Sequence, residues 1–185
     1  MSASEIADFK TKVESAASAT RTIQTDFVQF KHMDFLSNDI KTVGKMMFKA
    51  PDKVRWEYTE PYQYQVIFKE EQLLINDGGT KSKIDIGNSK LFKKLNRLIV
   101  NSVKGNMFID DDFTMKYSQS PVAYKVIFTP KDEKIADYIA QFELLFSKED
   151  NQVMEVKMIE PSKDFTRILF KNRVLNKTID DAVFN

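Results

Sequence analysis

From Thr20 onward the chain is a succession of short runs rich in β-branched and aromatic residues, separated by turn signals at fairly regular intervals. Few folds accommodate that pattern, because evenly spaced short strands joined by tight turns call for an antiparallel sheet. Candidate strands run from Thr22 to Lys31, Thr42 to Lys49, Lys53 to Tyr58, Tyr64 to Lys69, Gln72 to Asn76 and Lys81 to Ile86. They continue from Phe113 to Ser118, Tyr124 to Thr129, Ala140 to Phe146, Val153 to Ile159 and Phe165 to Arg173. Alternation is clearest in Phe142, Leu144, Phe146 and in Met154, Val156, Met158, so each of those strands has one dry face. Asn76-Asp77-Gly78-Gly79 and Ser147 to Asn151 read as hairpin turns.

Two helices interrupt the strands. Ser2 followed by Glu5 fits a capping box, with Ile6, Phe9, Val13 and Ala16 at helical spacing behind it. Leu91, Leu95, Leu98 and Ile99 fit a second helix, capped by Asn88 or Ser89 and ended before Gly105. Its other face carries Lys90, Lys94 and Arg97, a stripe that reads first as the wet side of an amphipathic helix. A sheet this long must bury its apolar face by closing, by forming a sandwich, or by wrapping around helices. No repeat, linker or low-complexity segment divides the chain, so one α+β domain over residues 1–185 is expected.

A balance of 28 Lys and Arg against 27 Asp and Glu gives a net charge of +1, which argues against nucleic acid as a partner. No segment approaches the run of about 20 apolar residues that a spanning helix needs. The opening MSASEIADFK lacks the apolar core of a secretion signal, which leaves a cytoplasmic chain or one numbered after a removed leader. With 0 cysteines, disulfides, thiol nucleophiles and thiolate metal sites are excluded. His32 stands alone at a strand end, and no G-x-S-x-G accompanies any serine, so triad catalysis is rejected. Asp110-Asp111-Asp112 lacks the D-x-D-x-D-G spacing of a calcium loop and reads as a solvated turn. Neither a cofactor, a metal nor an enzymatic activity is expected. What stands out instead is the apolar repertoire of 15 Phe, 8 Met and 6 Tyr, side chains suited to an irregular, adaptable apolar surface.

The stretch GKMMFKAPDKVRWEYTEPYQYQVIF from Gly44 resembles the central signature of the LolA family, through Gly44, Phe48, Pro51, Arg55, Trp56, Tyr58 and Pro61. Asp26-Phe27-Val28-Gln29 resembles the family's first-strand element, and Phe170-Lys171-Asn172 with Asn176 and Phe184 resembles its ending. The resemblance implies a curved antiparallel sheet forming an incomplete, half-open β-barrel, with α-helices as a lid over an apolar cavity. It also implies a monomeric periplasmic carrier, its signal peptide removed, that holds the acyl chains of lipoproteins. Such a carrier passes them from an inner-membrane transporter to an outer-membrane receptor. The other readings are a carrier of another lipid, glycolipid or membrane-associated pigment precursor, and an enzyme on the same scaffold. Receptors of this fold are tethered through a lipid on a cysteine, and these residues include none, so a freely shuttling carrier is expected rather than a tethered receptor. Where the best-known branch has an arginine that latches the lid, this chain has Ala50, so a freely opening lid is expected, its helices exchanging amide hydrogens before the strands.

Alternation places Val54, Trp56 and Tyr58 on one face, with Met46 and Phe48 beside them, and Lys45, Lys49, Lys53, Arg55 and Glu57 on the other, facing water. Lipid-binding residues expected on this reading are Ile23, Phe27, Met46, Phe48, Val54, Trp56, Tyr58, Val66, Phe68, Leu91, Leu95, Phe142 and Leu144.

Overall fold

The structure is a computed structural model describing residues 1–69, 72–85, 108 and 113–185. Helix α1 spans Ala3–Ser18, and eleven strands follow. These are β1 Thr22–His32, β2 Ile40–Lys49, β3 Lys53–Glu60, β4 Tyr64–Lys69, β5 Gln72–Asp77, β6 Thr80–Asp85, β7 Phe113–Gln119, β8 Ala123–Pro130, β9 Gln141–Ser147, β10 Val153–Ile159 and β11 Phe165–Leu175. A short helix α2, Glu133–Ala136, and a 3₁₀ turn, Asp181–Phe184, complete the described elements. The strands form one mostly antiparallel sheet in the order β6-β5-β4-β3-β2-β1-β11-β10-β9-β8-β7, with β6 and β7 as its edges. Each expected strand is present. Both expected hairpins form too: Gly78 and Gly79 take φ of 55° and 101° between β5 and β6, and Asn151 takes 56° before β10. The second expected helix, with Leu91, Leu95, the Lys90, Lys94 and Arg97 stripe and Gly105, lies outside the described residues, as do Ile86 and Asp110 to Asp112.

The chain divides into two compact units, the first comprising residues 1–19, 29–41 and 101–169, the second residues 20–28, 42–100 and 170–185. In the first unit α1 begins with the expected capping box: the Glu5 amide donates to Ser2 Oγ at 3.3 Å and the Ser2 amide to Glu5 Oε2 at 2.6 Å. Its buried stripe is Phe9, Val13 and Ala17, one residue beyond the expected Ala16. The register pairs Tyr124 with Phe146, Val126 with Leu144 and Phe128 with Phe142, which gathers these apolar side chains on one face. Phe9 packs into that face, its ring 4.6 Å from Tyr124, 5.3 Å from Phe146 and 5.4 Å from Phe108. Phe9, Val126, Phe128 and Phe146 are each 0% exposed, so the helix seals a filled core there. Along β10 Val156 and Met158 lie opposite Leu144 and Phe142, but all seven residues of the strand are partly exposed, so the dry face expected there is not formed, and Met154 falls in a register shift between Val153 and Glu155.

In the second unit the chain end covers the face of β2 to β4 that charge patterning assigned to water. Ile67, on that face because it pairs with Arg55 and Leu74, is buried in a cluster with Ile179 and Phe184. Lys49 Nζ donates to the Ile179 carbonyl at 2.8 Å and Lys53 Nζ to Asp181 Oδ1 at 2.7 Å. Arg55 Nη1 reaches the Val183 carbonyl and Lys69 Nζ the Asn185 side chain, both at 2.9 Å. The expectation that Lys49, Lys53 and Arg55 face open water is therefore corrected: their charged ends hold the C-terminal segment, Lys49 and Arg55 at its carbonyls and Lys53 at the Asp181 carboxylate.

Candidate lipid-binding face

The opposite face of the second unit is built by register. Across β2, β3, β4 and β5, Phe48 pairs with Val54, Val54 with Phe68 and Phe68 with Leu73. One step along, Met46 pairs with Trp56, Trp56 with Val66 and Val66 with Ile75. These are two apolar rows running perpendicular to the strands, because side chains on paired residues share a face. A third row, Gly44, Tyr58 and Tyr64, turns polar at Asp77.

Ile23 and Phe27 of β1 are buried, at 4% and 1% exposure. The Phe27 ring meets Trp56 edge-on at 4.9 Å and Tyr58 at 5.1 Å, and Trp56 tilts against Phe170 at 6.0 Å. Gly44 makes room for this aromatic cluster: a Cβ there would sit 2.6 Å from Phe27 Cζ and 2.1 Å from the Glu57 carbonyl oxygen. Burial, followed by the neighbouring Tyr64, pushes the Tyr58 hydroxyl up from its ordinary range and keeps it neutral.

Burial grades across the rows. Met46, Phe48, Val54 and Leu73 are buried, whereas Trp56, Tyr58, Val66, Phe68 and Ile75 stay partly exposed. The face thus combines a packed base with an apolar surface left open. Of the expected site residues, Ile23, Phe27, Met46, Phe48, Val54, Trp56, Tyr58, Val66 and Phe68 belong to this second unit. Phe142 and Leu144 belong to the first unit, beside Phe128 and Val126, and Leu91 and Leu95 lie outside the described residues. Leu73, Ile75 and Phe170 were missed. Leu73-Leu74-Ile75 is a continuous apolar run whose two faces are both used, Leu74 joining the Ile67 cluster, so periodicity could not sort it.

A hollow of about 210 Å³ at the tips of β3, β4 and β5 is lined by Glu57, Thr59, Gln63, Gln65 and Asn76 with Gly78 and Gly79. Its lining is mostly polar, and Tyr58 and Tyr64 of the third row also border it. His32, the single histidine, is engaged at the end of β1: its Nδ1 is 2.8 Å from Asp39 Oδ1, and its ring stacks on Phe165 at 4.7 Å. Ala50 donates its amide to the Arg21 carbonyl at 2.9 Å and offers only a methyl group where a latch would stand.

Residues 18–185 match the family described as outer membrane lipoprotein carrier protein LolA. The chain belongs to the LolA family. An outer-membrane lipoprotein carrier protein from Methylococcus capsulatus is 23% identical over 182 residues, covering 95% of this chain and 81% of that protein. Among solved structures, an uncharacterised conserved protein from Thermus thermophilus aligns with a TM-score of 0.60 at 9% identity, covering 97% of this chain and 92% of that one. A LolA superfamily protein from Nitrosomonas europaea aligns at 0.51 and 9% identity, covering 97% and 96%. At such identities the structural likeness concerns the fold alone. The LolA resemblance read from Gly44 to Pro61 is borne out; among the residues that carry it, Gly44, Trp56 and Tyr58 build the aromatic cluster and Arg55 the clamp. No helix among the described residues is long and apolar enough to cross a membrane.

Proposed function

We propose that this LolA-family protein binds the acyl chains of lipoproteins in an apolar cavity walled by the open face of β2 to β5. It carries them through the periplasm from an inner-membrane transporter to an outer-membrane receptor. One observation supports the reading above the rest: Trp56, Val66, Phe68 and Ile75 form an apolar surface, partly exposed, beside a packed base of Met46, Phe48 and Val54. A soluble domain that exposes such a surface has a use for it. Acyl chains suit it, since they need area and dispersion contacts and no matched polar groups. Ile23 and Phe27 back the wall. The role is binding, not catalysis.

Trp56, the one tryptophan, is its own reporter. Titrating the protein with a fluorescent fatty-acid probe, then with a triacylated lipopeptide, should give saturable uptake that alters Trp56 emission in parallel. Trp56→Glu should abolish uptake by setting a charge into the apolar wall, in a protein whose circular dichroism and melting remain those of a folded domain. Tight uptake with unchanged emission, together with full affinity in folded Trp56→Ala, would remove this face from the site.

A further inference from the structure

The hollow at the tips of β3, β4 and β5 gathers polar side chains that the carrier reading does not use. Register puts Glu57 opposite Gln65 and Gln65 opposite Asn76, so the three stand in one row across the strands, about 4.8 Å apart at each step. Thr59 and Gln63 join them from the β3 to β4 hairpin, and Gly78 and Gly79 close the hollow without side chains.

This frame is held in place by the protein itself. Arg55 Nη2 donates to Glu57 Oε2 at 3.1 Å, and the Gly79 amide donates to Asn76 Oδ1 at 2.9 Å. The Thr59 hydroxyl donates to the Val43 carbonyl and the Gly78 amide to the Gln63 carbonyl, both at 3.3 Å. Hydrogen-bonding capacity is left over: Glu57 Oε1, Asn76 Nδ2 and the side-chain amides of Gln63 and Gln65 have no protein partner among the described residues. Donors and acceptors fixed in position and still open are what a polar ligand requires.

Charge and shape narrow the ligand. Among the described residues that line the hollow only Glu57 is charged, and it is paired with Arg55. Lys45 and Lys81 continue the row at its two ends while Glu60 and Asp77 stand where the strands turn, so the flanking charges balance. No lysine or arginine lines the hollow to hold a phosphate, and one neutralised carboxylate does not make a cation site. A peptide fits poorly, because β3, β4 and β5 are paired on both sides and offer no strand edge, and the lining offers no apolar socket. A neutral ligand dense in hydroxyls remains. Amide and carboxylate groups each present two polar atoms in one plane, which suits adjacent hydroxyls. Tyr58 and Tyr64 border the hollow, and Tyr62, 75% exposed, precedes Gln63, so aromatic surface is at hand for the C–H side of a sugar. At about 210 Å³ the hollow falls below the about 300–1,000 Å³ of drug-sized sites, which limits it to a ligand of about one ring.

We propose that this hollow binds one neutral sugar ring, hydrogen-bonded by Glu57, Gln63, Gln65 and Asn76. The site goes beyond the carrier reading and does not depend on it.

The test follows the full chain by two-dimensional NMR while methyl glucoside, methyl galactoside, methyl mannoside or methyl N-acetylglucosaminide is added. At least one should shift the Gly78 and Gly79 amides and the side-chain amides of Gln63, Gln65 and Asn76, saturably and together. Gln65→Ala and Gln63→Ala should each weaken that binding about tenfold, about 1.4 kcal/mol, while melting with the wild type. Gln72→Ala, on the same face of β5 but outside the hollow, should leave it unchanged. The octyl form of the responding sugar, kept below its micelle concentration, separates the two sources. Equal affinity for the methyl and octyl forms marks a free glycan, and tighter octyl binding with altered Trp56 emission marks the sugar head of a lipid. No response to any of the glycosides, a response unchanged in both Gln65→Ala and Gln63→Ala, or the same shifts produced by inorganic phosphate or trialanine would overturn the site. Fatty-acid uptake should be unaltered in every variant, so a failed sugar response beside normal uptake refutes the sugar site and leaves the carrier reading standing.

Discussion

Gly44→Ala should be the most costly single-methyl change in the second unit. Gly44 lies opposite Tyr58, just beyond the register shift at Val43, and an added Cβ would lie 2.1 Å from the Glu57 carbonyl oxygen. It would also lie 2.6 and 2.8 Å from two atoms of the Phe27 ring. The ring could swing away, but only by leaving the core in which it is 1% exposed and its contacts with Trp56 and Tyr58. The carbonyl belongs to the β3 backbone and can retreat only by opening the β2 to β3 pairing. Overpacking costs about 1–3 kcal/mol, and an obstacle of backbone places this case at the upper end, about 3 kcal/mol. For a domain of this size each kcal/mol moves the midpoint by about 2–4 °C, so calorimetry should show a fall of about 6–12 °C. Fatty-acid uptake should weaken as well, because Phe27 supports Trp56. Gly78→Ala is the comparison: its φ is +55° with nothing within 4 Å, so only the left-handed backbone resists, at about 1 kcal/mol. A Gly44→Ala protein melting within about 2 °C of wild type would refute the reasoning, since neither obstacle could then be where the register puts it.

Three further outcomes are expected. Phe184→Ala should cost about 3–5 kcal/mol in urea unfolding, because Phe184 is 0% exposed and lies over Ile67; a loss below about 1 kcal/mol would mean that the C-terminal turn is not held in solution. Asp181 is held below its ordinary carboxyl value by hydrogen bonds from Lys53, then Lys49. Its contribution to stability is therefore complete above that ordinary value and fades as pH falls through the lowered one. The melting difference between wild type and Asp181→Asn should accordingly shrink on acidification, and a difference that grew would reverse the sign of this linkage. The amides of α1 should exchange with those of β8 and β9 rather than ahead of them, because Phe9 is sealed in their core. This departs from the lid-like behaviour expected for that helix from sequence, and early exchange throughout Ala3–Ser18 would restore it.

Much of the strand framework was legible because period-two alternation and turn chemistry are local signals. Lys53-Val54-Arg55-Trp56-Glu57-Tyr58 sorts its faces within six residues, and Asn76-Asp77-Gly78-Gly79 needs nothing beyond itself to turn. The same signal misled where a charged face meets another part of the chain. Lys49, Lys53 and Arg55 read as solvated, yet they clamp a segment about 130 residues downstream, whose only local marks are Ile179 and Phe184.

By itself the sequence determined the strand succession, the capped first helix, the family, and which residues of β2 and β3 share a face. These follow from the geometry of one strand or one turn. Only the tertiary structure decided that Phe27 closes on Trp56 across Gly44, and that α1 fills a core. It alone showed the outer face of β2 to β4 covered by the chain end. Each of those depends on which distant segments become neighbours, and that is set by sheet order and register, which no local period encodes.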